Sequence, residues 1–534
     1  MPKFAVLGLC LCATCWCGST ALFAADRPAH AESPNAHPRL GMNLTGPADW
    51  DTELPFVDVF HLSRPWTSQQ KGGAWGKGPA LDLDAHGWVK SLAPDCSAQT
   101  LLCTIAGGHY PSGRYTLLYD GKGVISIGGA AKVVAQPAPG RMILDVDSSK
   151  GAIFLSIAQT DPSDYIRNIH VIMPGFANTW QQQPFNPVFL HRWQGIACYR
   201  FMDWMCTNNS KVVTWDQRPK LNDATWMKQG IPLEMMIDLC NRQHIDPWFC
   251  MPCQADDRYI RSFAQMVKEK LDPSLKVYIE YSNEVWNGMF QQHKYAMDQA
   301  AARHLGRPDR PWEGACLFYT QRALQIFRIW QDVFGGHDRL VRVLAWQVGD
   351  HYWIDGLLLK NVKPGEVDAL AIAPYLAMLV PPHSNDPNRP GADEVSKWSV
   401  DQLMAYMRNT VLPRVANGIR TNAQMARNHG LRLVAYEAGQ HLVGIGGGEN
   451  NPALTQLFFK ANADPRMGEL YTAYLNTWKQ AGGDLLCNFT SVGSWSKWGC
   501  WGLLQYSDEN EAASPKFMAV MRWAKSMGQN VNLP

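Results

Sequence analysis

Charge of one sign is what this 534-residue sequence lacks: 49 Lys and Arg stand against 47 Asp and Glu, a formal net charge of +2. No run of basic residues gives the footprint of a nucleic-acid binder, so none is expected as a partner. Past the N-terminus no stretch approaches 18 uninterrupted apolar residues, which excludes a later membrane-spanning helix. A Gly-rich dinucleotide fingerprint after an early strand is missing as well, and with it the main support for a doubly wound open sheet. Cys250-Met-Pro-Cys253 has no second CxxC or close His pair to complete a tetrahedral set, so neither a metal site nor a cofactor is expected. What remains is a chain with only 18% charged residues and 11% aromatics, 22 of them Trp. Most indoles fill cores, but an exposed one offers a flat apolar face to a neutral, ring-shaped partner.

The N-terminus carries Lys3, then an apolar stretch from Phe4 to Ala25, then Asp26-Arg27-Pro28. This pattern reads as a signal peptide over residues 1–25, and the mature protein is expected to be secreted or periplasmic. Four of the 14 cysteines (Cys10, Cys12, Cys15 and Cys17) fall inside that segment, without a convincing lipobox. The other ten would meet an oxidising compartment, where Cys96 with Cys103 is the most local candidate disulfide.

Between Gly87 and Pro174, short β-rich runs such as Arg114–Tyr119, Gly123–Ile127, Met142–Val146 and Ala152–Ile157 alternate with Gly and Pro turns. Their spacing predicts a small β-sandwich over residues 87–174. After it, seven apolar runs alternate with amphipathic stretches: Ala197–Phe201, Pro247–Met251, Lys276–Ser282, Leu340–Trp346, Val367–Tyr375, Leu431–Tyr436 and Asp484–Thr490. A run of β/α units of this length predicts a (β/α)₈ barrel. Its eighth strand must lie in the segment 38–86, in Leu40–Leu44 or in Phe56–Leu62. The sandwich would then be an insertion after the first barrel strand, with residues 175–534 supplying the rest.

In such a barrel the chemistry sits at the C-terminal ends of the strands. Asn283-Glu284 ends the fourth and Glu437 the seventh, so two carboxylates can face each other across the barrel mouth. Glu280, two alternations below Glu284, faces the same way but deeper, where a buried ion pair with an Arg is expected.

The motifs Glu280-Tyr-Ser-Asn283-Glu284 and Tyr436-Glu437, three β/α units apart, resemble glycoside hydrolase clan A, the superfamily of retaining barrel glycosidases with catalytic Glu residues on strands four and seven. Many clan members have Pro after the first Glu, where this chain has Val285. The resemblance covers the barrel and leaves the sandwich unexplained. It implies Glu284 as general acid/base and Glu437 as nucleophile. It further implies Arg200 beside the nucleophile, Asn283 on the sugar 2-hydroxyl, Tyr375 donating to the nucleophile, and Trp495 as an aromatic floor, with Trp498 and Trp501 competing for that place. Trp204, His351 and Asp256 are added as candidate sugar contacts, with Asp257 and Asp350 beside them at the ends of strands three and five. The substrate class implied is a β-linked polysaccharide or oligosaccharide: β-1,4-glucan first, then xylan, mannan or an exopolysaccharide, cut in endo fashion. A non-catalytic glycan-binding barrel and a transglycosylase built on the same pair are the alternatives.

Overall fold

The structure, a computed structural model, describes Asn35 and residues 37–386 and 389–534. The signal-peptide reading of residues 1–25, with its four cysteines, lies outside the described residues. Eight parallel strands close into a barrel: β1 (Arg39–Asn43), β2 (Cys198–Arg200), β3 (Asp246–Met251), β4 (Val277–Tyr281), β5 (Leu340–Ala345), β6 (Ala369–Ile372), β7 (Arg432–Ala435) and β8 (Leu485–Asn488). The ring is completed by β1, which pairs with β2 through Met42 and Tyr199 and with β8 through Arg39 and Leu485. Of the two candidates for the first strand, the chain therefore uses the one at Leu40. Phe56–Leu62 instead makes isolated bridges from Phe56 and Asp58 and ends in a 3-10 turn, Phe60–Leu62.

Because helices cover the outside and side chains fill the inside, these strands are buried on both faces and read as continuous apolar runs. Trp248, Cys250, Tyr278, Val341, Val343 and Cys487 fill the interior. Their alternating neighbours Phe249, Ile279, Leu344 and Leu486 join the layer under the helices. Gly41 is required where β1 passes between β2 and β8: a Cβ there would lie 2.7 Å from Cys487 Sγ and 3.0 Å from the Cys198 carbonyl oxygen. The helix Asp257–Lys270 is started by Asp256, whose carboxylate accepts from Tyr259 N–H at 2.6 Å. The helix Pro515–Ser526 has Ser514 in the same role. Each such cap satisfies an otherwise orphaned backbone donor.

Between β1 and β2 lie two four-stranded antiparallel sheets. One runs in the order Thr67–Gln70, Cys96–Leu102, Ile153–Thr160, Gly123–Gly129, and the other in the order Arg167–Ile172, Gly113–Asp120, Arg141–Val146, Ala131–Ala138. They share one core that includes Leu102, Tyr115, Leu144, Ile153 and Val171. The sheets thus begin at Thr67, upstream of the expected Gly87, because the polar strand Thr67–Gln70 lacks the apolar alternation that marks the others. Cys96 and Cys103 are both free thiols at opposite ends of one extended strand. Seven residues at ~3.3 Å each separate them by far more than a disulfide can span.

Past β6 and β7 the chain rises from the barrel rim as a second parallel pair, Leu376–Val380 with Gln440–Gly444. Among the described residues, no helix is long and apolar enough to cross a membrane.

Candidate active site

A cleft of about 720 Å³ opens at the C-terminal ends of the strands, and Asn283, Glu284, Tyr375 and Glu437 all line it. Glu437 follows β7 directly and is 6% exposed. Its Oε1 accepts from Arg200 Nη1 at 3.1 Å and its Oε2 from the Tyr375 hydroxyl at 2.9 Å. Both of its oxygens are thus engaged, one by a guanidinium and one by a phenol.

Arg200, fully buried at the end of β2, is the hub below the cleft. Besides Glu437 it donates to Asn43 Oδ1 at 3.0 Å, to Asn283 Oδ1 at 2.7 Å and, through Nε and Nη2, to Glu280 Oε2. Glu280 also accepts from Trp248 Nε1 at 2.9 Å. It is therefore the buried ion-pair partner one level down and does not line the cleft. Burial is the largest influence on its carboxyl and raises the pKa despite Arg200.

Glu284 is held differently. The turn that leaves β4 puts Ser282 and Glu284 at positive φ, 60° and 42°, a conformation that costs non-glycine residues of order 1–3 kcal/mol. That turn presents the carboxyl to the cleft, where Tyr436 OH donates to Oε1 at 3.1 Å and Asn287 Nδ2 to Oε2 at 2.9 Å. Burial, reinforced by the negative charge of Glu437, pushes the Glu284 carboxyl up to about 8 against these two donors. One carboxyl of the cleft thus faces a guanidinium and a phenol, while the other is pushed by burial toward its acid form.

Asn283 is fixed at both ends, by Arg200 at its oxygen and by Asn208, which accepts from its Nδ2 at 3.0 Å. Gln292, at the start of the next helix, donates to Asn208 Oδ1 and to the Asn283 carbonyl and so locks the turn.

Four sequence-predicted contacts stand outside the cleft. Trp204 is fully buried among Phe56, Phe189 and Phe201, with its indole N–H on the Thr45 carbonyl. Asp256 is the helix cap described above. His351 is exposed and bonded to Asp355 in its own turn. Trp495 packs against Phe459 with the Lys516 ammonium over its ring, and Trp498 and Trp501 line the cleft instead. All four lie next to strand ends in sequence, but each turns its side chain away from the mouth.

Two cleft residues carried no distinct signal in the sequence. Asp203 lines the mouth beside Arg200's strand, and burial together with the Glu437 charge raises its carboxyl to about 7. His441, on the raised strand Gln440–Gly444, sits between Tyr375 and Trp501. Burial holds its imidazole neutral, with a pKa lowered to about 4, and among the described residues its Nε2 has no hydrogen-bond partner. The same raised pair contributes Ala377, Leu379 and Val443, and Trp50, Trp286 and Phe290 add aromatic surface. The lining is thus largely apolar and aromatic, with a few polar groups concentrated around the two carboxyls.

Fold and site define a closed parallel barrel with two unlike carboxyl groups at its mouth. Neither a scan against protein-family models nor a search of curated proteins finds a match. Among solved structures, the chain is similar to the CBM22-1–GH10 modules of an endo-1,4-β-D-xylanase from Clostridium thermocellum at 11% identity and TM-score 0.37, over 90% of this chain and 97% of that one. It is also similar to a β-glucosidase from Thermotoga maritima (11%, TM-score 0.36, 66% and 88%) and to an endo-β-1,4-mannanase double mutant from Cellulomonas fimi (12%, TM-score 0.33, 65% and 66%).

Proposed function

We propose that this chain is a secreted retaining β-glycoside hydrolase of clan A type, acting on a β-linked polysaccharide through a covalent glycosyl-enzyme intermediate. The observation that carries the reading is the division of labour between the two carboxyls. Glu437, bonded to Arg200 and Tyr375, is the anion that attacks the anomeric carbon. Glu284, raised to about 8 by burial and by that anion, is the proton donor to the leaving oxygen. When Glu437 becomes an ester its charge disappears, the Glu284 pKa falls, and Glu284 accepts the proton of the incoming water.

A cleft lined largely by apolar and aromatic residues, Trp50, Trp286, Trp498 and Trp501 among them, suits a neutral chain such as β-1,4-glucan, xylan or mannan, cut in endo fashion. A non-catalytic glycan-binding barrel would have no use for a carboxyl kept protonated opposite an ionised one. Transglycosylation uses the same two groups and differs only in the acceptor.

The test is made on the pair. Glu437→Ala should lose turnover by several orders of magnitude while substrate binding and the circular-dichroism spectrum persist. A 2-fluorosugar inactivator should label Glu437. Glu284→Ala should retain most activity on an activated aryl glycoside in the presence of azide and release a β-glycosyl azide. Labelling of another carboxylate, or an α-azide product, would overturn the assignment.

A further inference from the structure

Away from the cleft, where the sandwich meets the barrel, lies a group of metal-ligating side chains that the proposed hydrolysis does not use. Asp58 and His61 belong to the segment leading from β1 into the sandwich, and His170 to its last strand, Arg167–Ile172. One ligand atom from each lies within 4.8 Å of the other two. We propose that Asp58, His61 and His170 form a binding site for one divalent transition-metal ion, zinc by its donor chemistry, which fastens the sandwich to the barrel.

The hydrogen bonds around the group define which atoms are free. Asp58 Oδ1 is committed to two backbone donors, Phe60 N–H at 3.0 Å and Val171 N–H at 2.9 Å. Its Oδ2 is left facing His170 Nδ1 at 2.7 Å and His61 Nε2 at 3.8 Å. His61 Nδ1 lies 3.0 Å from the carbonyl oxygen of Asp223, which can only accept, so Nδ1 carries the proton and the neutral ring turns its Nε2 lone pair toward the Asp58 carboxylate. His61 is 6% exposed and Asp58 8%. Asp58 Oδ2 thus has both His170 Nδ1 and the His61 Nε2 lone pair turned toward it in one buried place, a set of three ligand atoms that a cation can bridge.

A backbone carbonyl on the far nitrogen is also the usual way that a ligating histidine is oriented. Trp226 stacks on the His61 ring at 4.5 Å, and Trp180 lies against His170 at 4.4 Å, so both imidazoles are held in place. Zinc takes bonds of about 2.0–2.2 Å to such nitrogens and oxygens in a tetrahedron. The present separations of 2.7 and 3.8 Å bracket the ligand-to-ligand spacing of roughly 3.3 Å that this geometry implies. On binding, the ion takes the place of the hydrogen bond between His170 Nδ1 and Asp58 Oδ2: the neutral ring then carries its one proton on Nε2 and turns the Nδ1 lone pair to the metal. Two imidazoles and one carboxylate leave a fourth position on the partly open side of His170 for water. Three sequence-distant pieces meet here: the segment after β1, the last sandwich strand, and the loop after β2 that carries Asp223 and Trp226. The ion would therefore tie sandwich to barrel.

The experiment uses the full, untagged mature chain, stripped with chelator and titrated with zinc chloride by calorimetry. One equivalent should bind, and the thermal midpoint should rise by a few degrees. His170→Ala should lose that equivalent and the thermal shift. Asp58→Asn, which keeps the oxygen that accepts from the two backbone amides, should lose them as well. Zinc-soaked crystals of the wild-type protein should show an anomalous peak between the three side chains, a readout independent of how the variants fold. Absence of a stoichiometric site in the wild-type chain would overturn the proposal. So would unchanged binding in both variants, or a peak only at the exposed group of His351, Asp355 and His429.

Discussion

Arg200 binds two carboxylates and two amide oxygens at once, and the state of the cleft follows from how that single charge is shared. Glu437 receives one of its N–H groups directly, Glu284 none. In the proposed hydrolysis the acid is protonated when the glycosidic bond breaks, so activity should fall as pH rises through about 8, where Glu284 loses its proton. Tyr436 OH favours the ionised form of Glu284 by donating to it. Tyr436→Phe should therefore move the alkaline limb of the kcat/KM profile to higher pH, and a limb that stayed in place or moved down would contradict the arrangement. That Glu284, Glu437, Asn283, Arg200 and Tyr375 gather around one cleft was legible in the sequence because each sits at or just past the end of an apolar run. Asp203 and His441 were not. Nothing in Phe-Met-Asp or Gly-Gln-His distinguishes a loop residue turned inward from one turned out, and their importance comes from burial and from Glu437, which only the closed fold supplies.

At the level of the element, strand ends proved to be an incomplete guide. Asp256 follows β3 as a catalytic residue would, but its carboxylate is engaged by Tyr259 N–H, which makes it part of the helix that follows. Asp256→Ala should cost about 1 kcal/mol of stability through the lost cap, measured by urea denaturation, with kcat and KM on a polysaccharide unchanged. A large loss of kcat with stability intact would return Asp256 to the cleft. The raised pair Leu376–Val380 and Gln440–Gly444 escaped sequence reading for a different reason. Each strand begins within a few residues of the barrel strand before it, so apolar periodicity merges the two. The pair contributes Ala377, Leu379, His441 and Val443 to the wall of the cleft.

At the scale of the whole molecule, β1 is the element on which closure depends, and Gly41 is its least replaceable residue. Gly41→Val would force a branched side chain against Cys487 Sγ and the Cys198 carbonyl. Overpacking of this kind costs typically about 1–3 kcal/mol, and more here because one of the opposing atoms is backbone. The variant should show a lowered thermal midpoint, accompanied by loss of activity. An unaltered midpoint would mean that the barrel wall is looser at β1 than the contacts indicate. The position of β1 has one more consequence, in time. Its neighbour β8 ends with Asn488, roughly 440 residues downstream, and at about 5–20 residues per second a ribosome takes on the order of 20–90 s to supply it. The sandwich, whose strands all lie between Thr67 and Ile172, is complete within the first third of the chain. The first barrel strand is thus made early and is the last to be enclosed: β2 can pair with one of its sides soon after synthesis, while the side that faces β8 stays an apolar edge with no partner for that interval.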